Sequence, residues 1–263
     1  MLLGRHMARF DGKVVVVTGA SRGIGGSTAV AFAREGATVV GVARSSQADV
    51  AKDCGGGKYC AIEFDLGNAD AAALGELVED VIRRFGRIDV LLNNAGIIRR
   101  APAVDFSEQD WNDVLRINLT SPFFLTQAVA RWWLKAGGRE QPDPADRLRI
   151  INIASLLSFQ GGITVPAYAA AKHGIAGITK ALANEWAKER INVNAVAPGY
   201  IATENTRALR EDPARNAAIL ARIPQGDWGH GDDIAGTCLF LASSDADYLN
   251  GAVINVDGGW LGR

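Results

Sequence analysis

The hydrophobic positions fall into two alternating kinds of run. Residues 14–17 and 38–42 are short, β-branched and almost uninterrupted, whereas residues 71–85 set Leu74, Leu77, Val78, Val81 and Ile82 at helical spacing. Short continuous runs suit strands buried on both faces, and striped segments suit the helices that cover them. The same grammar predicts strands over 90–92, 149–153, 191–196 and 252–256, and helices over 27–35, 111–133 and 167–188. Such alternation predicts an α/β fold: one doubly wound, Rossmann-like domain with a mostly parallel sheet. Right-handed crossovers would leave a ligand crevice at the carboxyl ends of its strands.

Two segments stand outside this rhythm. Residues 1–8 read as a flexible tail, which leaves 9–263 as the single domain. Residues 137–147 are polar, carry prolines and show no apolar period, so an exposed loop without a role is expected there.

Charge and cysteine usage narrow the function. A net charge of −1 argues against a nucleic-acid partner, which needs clustered, unbalanced Lys and Arg. The aliphatic runs are too short to span a bilayer, so no membrane partner is expected. Cys54, Cys60 and Cys238 are odd in number and include no CxxC pair, which suits reduced thiols and a cytoplasmic location. No metal is expected, because no His/Cys/Asp set has ligand spacing; His173 and His230 read as structural.

The turn after the first strand is richer. In Thr18-Gly19-Ala20-Ser21-Arg22-Gly23-Ile24-Gly25, three glycines stand where strand passes into helix. Glycine lets the backbone turn tightly and approach phosphate oxygens, and a helix N-terminus offers free N–H groups. A dinucleotide's pyrophosphate is expected here, against Gly19, Ser21, Arg22, Gly23, Ile24 and Gly25.

Tyr168 and Lys172 lie four residues apart in a helical segment and therefore share a face, and Ser155 follows a strand thirteen residues before Tyr168. Ketone reduction needs a proton donor at oxygen, and alcohol oxidation needs a base at the same place; one phenol serves both. A tyrosine with a pKa of about 10 needs help at neutral pH, which a neighbouring ammonium supplies. The Ser155 hydroxyl can stabilise charge on the substrate oxygen.

Taken together, the Gly-x-x-x-Gly-x-Gly spacing, Asn93-Asn94-Ala95-Gly96, Ser155, the Tyr168/Lys172 pair and the segment from Pro198 and Gly199 to Thr203 resemble the short-chain dehydrogenase/reductase family. The resemblance runs from about Lys13 to the C-terminus. It implies an NAD(P)-dependent oxidoreductase acting on a small polar carbonyl or alcohol. It implies that Asn118 completes a catalytic tetrad by holding a proton-relaying water, and that Tyr168 and Lys172 also touch the cofactor. Asp65, Leu66, Asn94, Ala95 and Gly96 would line the adenosine side, while Pro198, Gly199, Ile201 and Thr203 would meet the nicotinamide. By the same resemblance residues 204–226 form a substrate lid, and the helices over 111–133 and 167–188 build a homotetramer.

Longer segments, among them Asn93 to Arg100, Ile153 to Gly162 and the ending Asp257-Gly258-Gly259-Trp260-Leu261-Gly262-Arg263, resemble the family's sugar-acid branch, of the 2-deoxy-D-gluconate 3-dehydrogenase and 2-dehydro-3-deoxy-D-gluconate 5-dehydrogenase type. A sugar acid needs a cation for its carboxylate; Arg99 and Arg100 are candidates, with Gln160 for hydroxyl recognition. NAD-selective members carry an acid where this chain has Ala43. Arg44 and Arg22 instead favour NADP(H) over NAD(H), although that branch typically uses NAD(H). The alternatives are a 3-oxoacyl-carrier-protein reductase and a non-catalytic dinucleotide sensor.

Overall fold

The computed structural model describes residues 8–55, 57–141, 143 and 146–263. Seven strands form one parallel sheet: β1 (Val14–Thr18), β2 (Thr38–Ala43), β3 (Tyr59–Glu63), β4 (Val90–Asn93), β5 (Leu148–Ile153), β6 (Ile191–Pro198) and β7 (Val253–Val256). Their spatial order is β3-β2-β1-β4-β5-β6-β7, and every neighbouring pair is parallel. The fold is the doubly wound Rossmann-like α/β architecture that the alternating pattern predicts.

The strands are apolar without a break because each face is buried. Val15 and Val17 of β1 point into a core with Phe32 from helix α1 (Gly23–Arg34) and Ile234 and Cys238 from a helix near the C-terminus. Val14 and Val16 point the other way, against Leu74 and Leu77 of the next long helix and Leu125 and Val129 beyond it. One step along a strand exchanges one core for the other.

The helices follow in chain order. After α1 come α2 (Ala48–Asp53), α3 (Ala71–Phe85), α4 (Glu108–Leu115), α5 (Ser121–Lys135), α6 (Pro166–Trp186), α7 (Arg207–Glu211), α8 (Pro213–Leu220) and α9 (Gly231–Ala242). Among the described residues no helix is long and apolar enough to cross a membrane.

Three departures from the sequence pattern have physical causes. Helix α1 begins at Gly23, four residues before its expected start, because its first turn is built of glycines that carry no helical signal. Strand β3 was not foreseen: it is half-exposed and follows a glycine cluster. The helix expected over 111–133 is broken by a π-helical stretch, Arg116–Thr120. Within it the Asn118 amide donates to the carbonyls of Val114 and Ile97, both at 2.9 Å, and the Ser121 N–H bonds Arg116. A side chain competing for backbone carbonyls suits such a bulge.

The loop at 137–147 also differs from expectation. Pro142, Pro144 and Ala145 lie outside the described residues, as does the tail's span 1–7. Gly138 is buried in a short turn, Gly138–Glu140, and the last residues are pinned rather than solvated. Asp146 accepts from Lys13 at 2.7 Å and Arg87 at 2.9 Å, while Arg147 reaches Asn192 and Asp247. Apolar periodicity cannot register an aspartate that folds back onto two cations.

This charge cluster closes the amino ends of the central strands. Asp89, only 4% exposed, accepts from the Val14 N–H at 2.9 Å and from Arg87, with Lys13 at 3.4 Å. Asp89→Ala would orphan a buried N–H and a half-buried guanidinium. A loss of about 2–3 kcal/mol in urea unfolding is expected, with turnover per folded molecule unchanged.

Candidate active site

Crossovers run in opposite directions from β1 and β4, so their carboxyl ends are left uncovered side by side. A cleft of about 300 Å³ opens there, lined by residues from the ends of β1, β2, β4 and β5 and from α6. Thr18 holds its inner edge together. Its hydroxyl donates to the Leu92 carbonyl and accepts from the N–H groups of Asn94 and Ala95, at 3.0 and 3.1 Å. The Asn94 amide returns a bond to the Thr18 carbonyl at 2.9 Å.

The glycine turn fits a phosphate cradle. Gly19 and Gly23 have φ of +66° and +56°, which favours glycine. A Cβ on Gly25 would strike the Gly19 carbonyl and the Asn94 amide, so this glycine packs beneath the turn instead of lining the cleft. The N-terminus of α1 has no side-chain cap, and its first N–H groups are left to face the cleft. Ser21, Arg22, Gly23 and Ile24 line the cleft beside Gly19.

The adenosine-side candidates also converge: Asp65, Leu66, Asn94, Ala95 and Gly96 all line the cleft. Asp65 does double duty, because its carboxylate accepts from the Gly67 N–H and the Asn68 amide, both at 2.8 Å, and thereby shapes its own turn. Arg44 reaches across to it at 3.9 Å. Thr203 lines the opposite wall, whereas Pro198, Gly199 and Ile201 do not. Gly199 packs on Asp257, and Ile201 is buried in the core.

At the inner end, Tyr168 and Lys172 project from the first turns of α6. Lys172 is 4% exposed, donates to the Ile153 carbonyl at 2.6 Å and sits 5.5 Å over the Tyr168 ring. Burial pulls its pKa down to about 8. Ser155 lies beside Tyr168, and its oxygen accepts from the Leu157 N–H at 3.2 Å. Asn118, 1% exposed, has both amide hydrogens bonded to carbonyls. Its Oδ1 lies against Gly96, buried and without a partner among the described residues.

The surroundings of the phenol act on it in opposite directions. Burial raises the Tyr168 phenol above its ordinary value, and the groups that draw it back are the Ser155 hydrogen bond and the Arg100 charge. Lys172, expected to be the main acidifying partner, gives one of its three ammonium protons to the Ile153 carbonyl as a hydrogen bond and keeps its charge 5.5 Å over the phenol ring.

The two arginines part company: Arg99 pairs with Asp110 at 3.2 Å and the exposed Arg100 lowers the Tyr168 pKa through its charge, while neither lines the cleft wall. Gln160 is half-buried after the short turn Leu156–Ser158, and it is not part of the cleft wall. Sequence reasoning missed Ser45, Phe64, Ile117 and Asn205 as lining residues. Ser45 was within reach of it, since it follows Arg44; the others face the cleft only through tertiary packing. Among the described residues no His/Cys/Asp/Glu group is placed to hold a metal ion.

The family profile described as enoyl-(acyl carrier protein) reductase matches residues 19–261. The chain is 48% identical over 255 residues to the 2-dehydro-3-deoxy-D-gluconate 5-dehydrogenase of Dickeya dadantii, covering 96% of this chain and 97% of that one. The chain belongs to the short-chain dehydrogenase/reductase family. A crystal structure from Agrobacterium tumefaciens, described as a 2-deoxy-D-gluconate 3-dehydrogenase with bound NADP, superposes with a TM-score of 0.89. It is 49% identical, over 98% of this chain and 100% of its own. The 3-oxoacyl-[acyl-carrier-protein] reductase of Thermotoga maritima is more distant, at 40% identity over 253 residues, 95% of this chain and 98% of that one. The chain is thus an oxidoreductase that works on CH–OH groups with a nicotinamide dinucleotide.

The buried lysine gives a pH signature. An unfolded lysine titrates near 10.4, so with a folded value of about 8 the unfolded chain binds the extra proton between those limits. Stability contributed by this site therefore rises with pH from about 8 to 10.4, and the burial penalty is fully present below 8. Lys172→Met removes the titration. Its stability relative to wild type is expected to fall by about 3 kcal/mol between pH 7 and 10.4 in chemical denaturation. A difference independent of pH would show that the ammonium is not held there.

Proposed function

We propose that the chain interconverts a secondary alcohol and a ketone on a sugar acid or keto-deoxy uronate, with NADP(H) favoured over NAD(H) and Tyr168 as acid and base. The observation that carries this reading is the phenol of Tyr168, beside Ser155 and 5.5 Å from the buried Lys172 ammonium, in the same cleft as the glycine turn. The nicotinamide, when bound, gives or takes the hydride at the substrate carbon. Tyr168 delivers a proton to the oxygen as a ketone is reduced, and removes one as an alcohol is oxidised. The Ser155 hydroxyl, whose oxygen accepts from the Leu157 N–H, would turn its proton from the phenol to the substrate oxygen and stabilise the charge that develops there. Asn118 offers its bare Oδ1 for the relay water that the family's tetrad uses.

The sugar-acid assignment is supported by the identity shared with the Dickeya enzyme and by the chemistry of Arg100. Among the described residues its guanidinium has no ion pair, unlike that of Arg99, and its charge lowers the Tyr168 pKa, which suits a substrate carboxylate near the reacting carbon. The preference for NADP(H) rests on Ala43 at the end of β2, where an acid would repel a 2′-phosphate. Arg22, Arg44, Ser21 and Ser45 line the same part of the cleft. The free cysteines fit a cytoplasmic enzyme, and the family resemblance supports a homotetramer.

NADPH depletion over deoxy-keto uronates, aldonates, simple ketones and acyl thioesters tests the assignment; turnover confined to acyl thioesters would overturn it. Tyr168→Phe is expected to lower kcat by about 10²–10⁴-fold while leaving NADPH affinity within about threefold. Arg100→Ala is expected to raise KM for the keto-deoxy uronate about tenfold or more, with KM for NADPH unchanged. Because the Arg100 charge lowers the phenol's pKa, the same variant should move the alkaline-going rise of alcohol oxidation to higher pH.

A further inference from the structure

Below the mouth of the cleft lies a polar cluster that the chemistry described so far leaves unused. Gln47 is 6% exposed, at the point where the short turn after β2 enters α2. Its amide nitrogen donates to the Ile62 carbonyl at 3.1 Å, and its oxygen accepts from the Tyr59 hydroxyl at 2.5 Å. One side chain therefore grips β3 at two places. Gly41 in β2 completes the fit, because a Cβ there would collide with both the Tyr59 hydroxyl and the Gln47 oxygen.

Only Arg44, Ser45 and Ser46 separate β2 from Gln47. With consecutive Cα atoms about 3.8 Å apart, fixing Gln47 at one end and β2 at the other leaves this turn little freedom. Its upper side faces the cleft: Arg44 and Ser45 line it, and the Ser45 hydroxyl donates to Ser21 of the glycine turn at 2.9 Å. Arg44 and Ser45 are otherwise exposed, and the 3.9 Å approach of Arg44 to Asp65 is a weak surface contact that adds little restraint.

We propose that Gln47 and Tyr59 are positioning residues for recognition of the cofactor's 2′-phosphate, holding Arg44 and Ser45 where both can reach it. The inference rests on the NADP(H) reading above. A guanidinium and a hydroxyl on an unrestrained turn would each lose freedom on binding, whereas the Gln47 grip settles that ordering in the fold itself. Burial also raises the Tyr59 phenol, which keeps it a protonated donor at working pH. NADH, which lacks the 2′-phosphate, gains much less from the arrangement.

The test is fluorescence titration of NADPH and NADH against wild type, Tyr59→Phe, Gln47→Met and Arg44→Ala, with thermal melting alongside. Tyr59→Phe is expected to weaken NADPH about fivefold and NADH less than about twofold, as befits one lost buried hydrogen bond acting on the 2′-phosphate contacts. Gln47→Met, which keeps the length of the side chain, should give the same asymmetry. Equal weakening of both nucleotides, or unchanged NADPH affinity in both variants, overturns the proposal and leaves the cluster as packing. Arg44→Ala reports on the underlying reading: an unaltered NADPH-to-NADH ratio there defeats the NADP(H) assignment itself. A collapsed ratio in Arg44→Ala with none in the other two defeats only the positioning role.

Discussion

The site depends on a gap that the topology creates and one hydroxyl closes from beneath. Neighbouring strands β1 and β4 send their crossovers to opposite sides, so no helix covers the place where they end. Backbone leaving two strands in different directions would expose unpaired amides, and Thr18 gathers them: Asn94 and Ala95 donate to it while it donates to Leu92. The glycine turn and the Asn94–Gly96 segment are thereby held as one surface. A dinucleotide needs that surface to be rigid before it arrives, because an ordering penalty would otherwise come out of its affinity.

The reacting end depends on a different compromise. Burying an ammonium is unfavourable, and Lys172 shows it in a pKa brought down to about 8. The Ile153 carbonyl, released at the end of β5, is what makes the burial tolerable, at 2.6 Å. Fixing the lysine there holds its charge 5.5 Å from the ring of Tyr168, a half-buried residue whose phenol is also eased by Ser155 and Arg100. The phenol's acidity is thus eased by neighbours from two segments, Ser155 after β5 and Arg100 after β4.

Much of this was legible in the sequence, and the limits are instructive. Strands buried on both faces leave uninterrupted Val and Leu runs, so β1, β4 and β5 could be read almost to the residue, and the Leu74/Leu77/Val78/Val81 stripe fixed α3. Edge and terminus elements were harder. Strand β3 alternates weakly because one side meets solvent, and α1 starts on glycines chosen for the cleft and not for the helix. In the site, the meeting of Tyr168 and Lys172 was readable because residues four apart on a helix share a face. The division of labour between Arg99 and Arg100 was not, since it turns on Asp110 of α4, which only the fold brings to Arg99. The π-helical break around Asn118 was equally hidden, arising from bonds to Val114 and to Ile97, twenty-one residues away in the chain.

The two ends of the sheet divide stability from function along the same strands. At the amino ends, charges are matched: Asp89 and Asp146 with Lys13 and Arg87, and Asp247 with Arg147 and Arg149. At the carboxyl ends, matching is incomplete, with Asn118 Oδ1 bare and Lys172 carrying a charge without a carboxylate. Groups left short of partners in the folded chain are those that can still gain from a ligand, whereas groups already satisfied cannot. The paired end steadies the unpaired one, because β1 and β4 carry both and run side by side in register from Asp89 to Thr18.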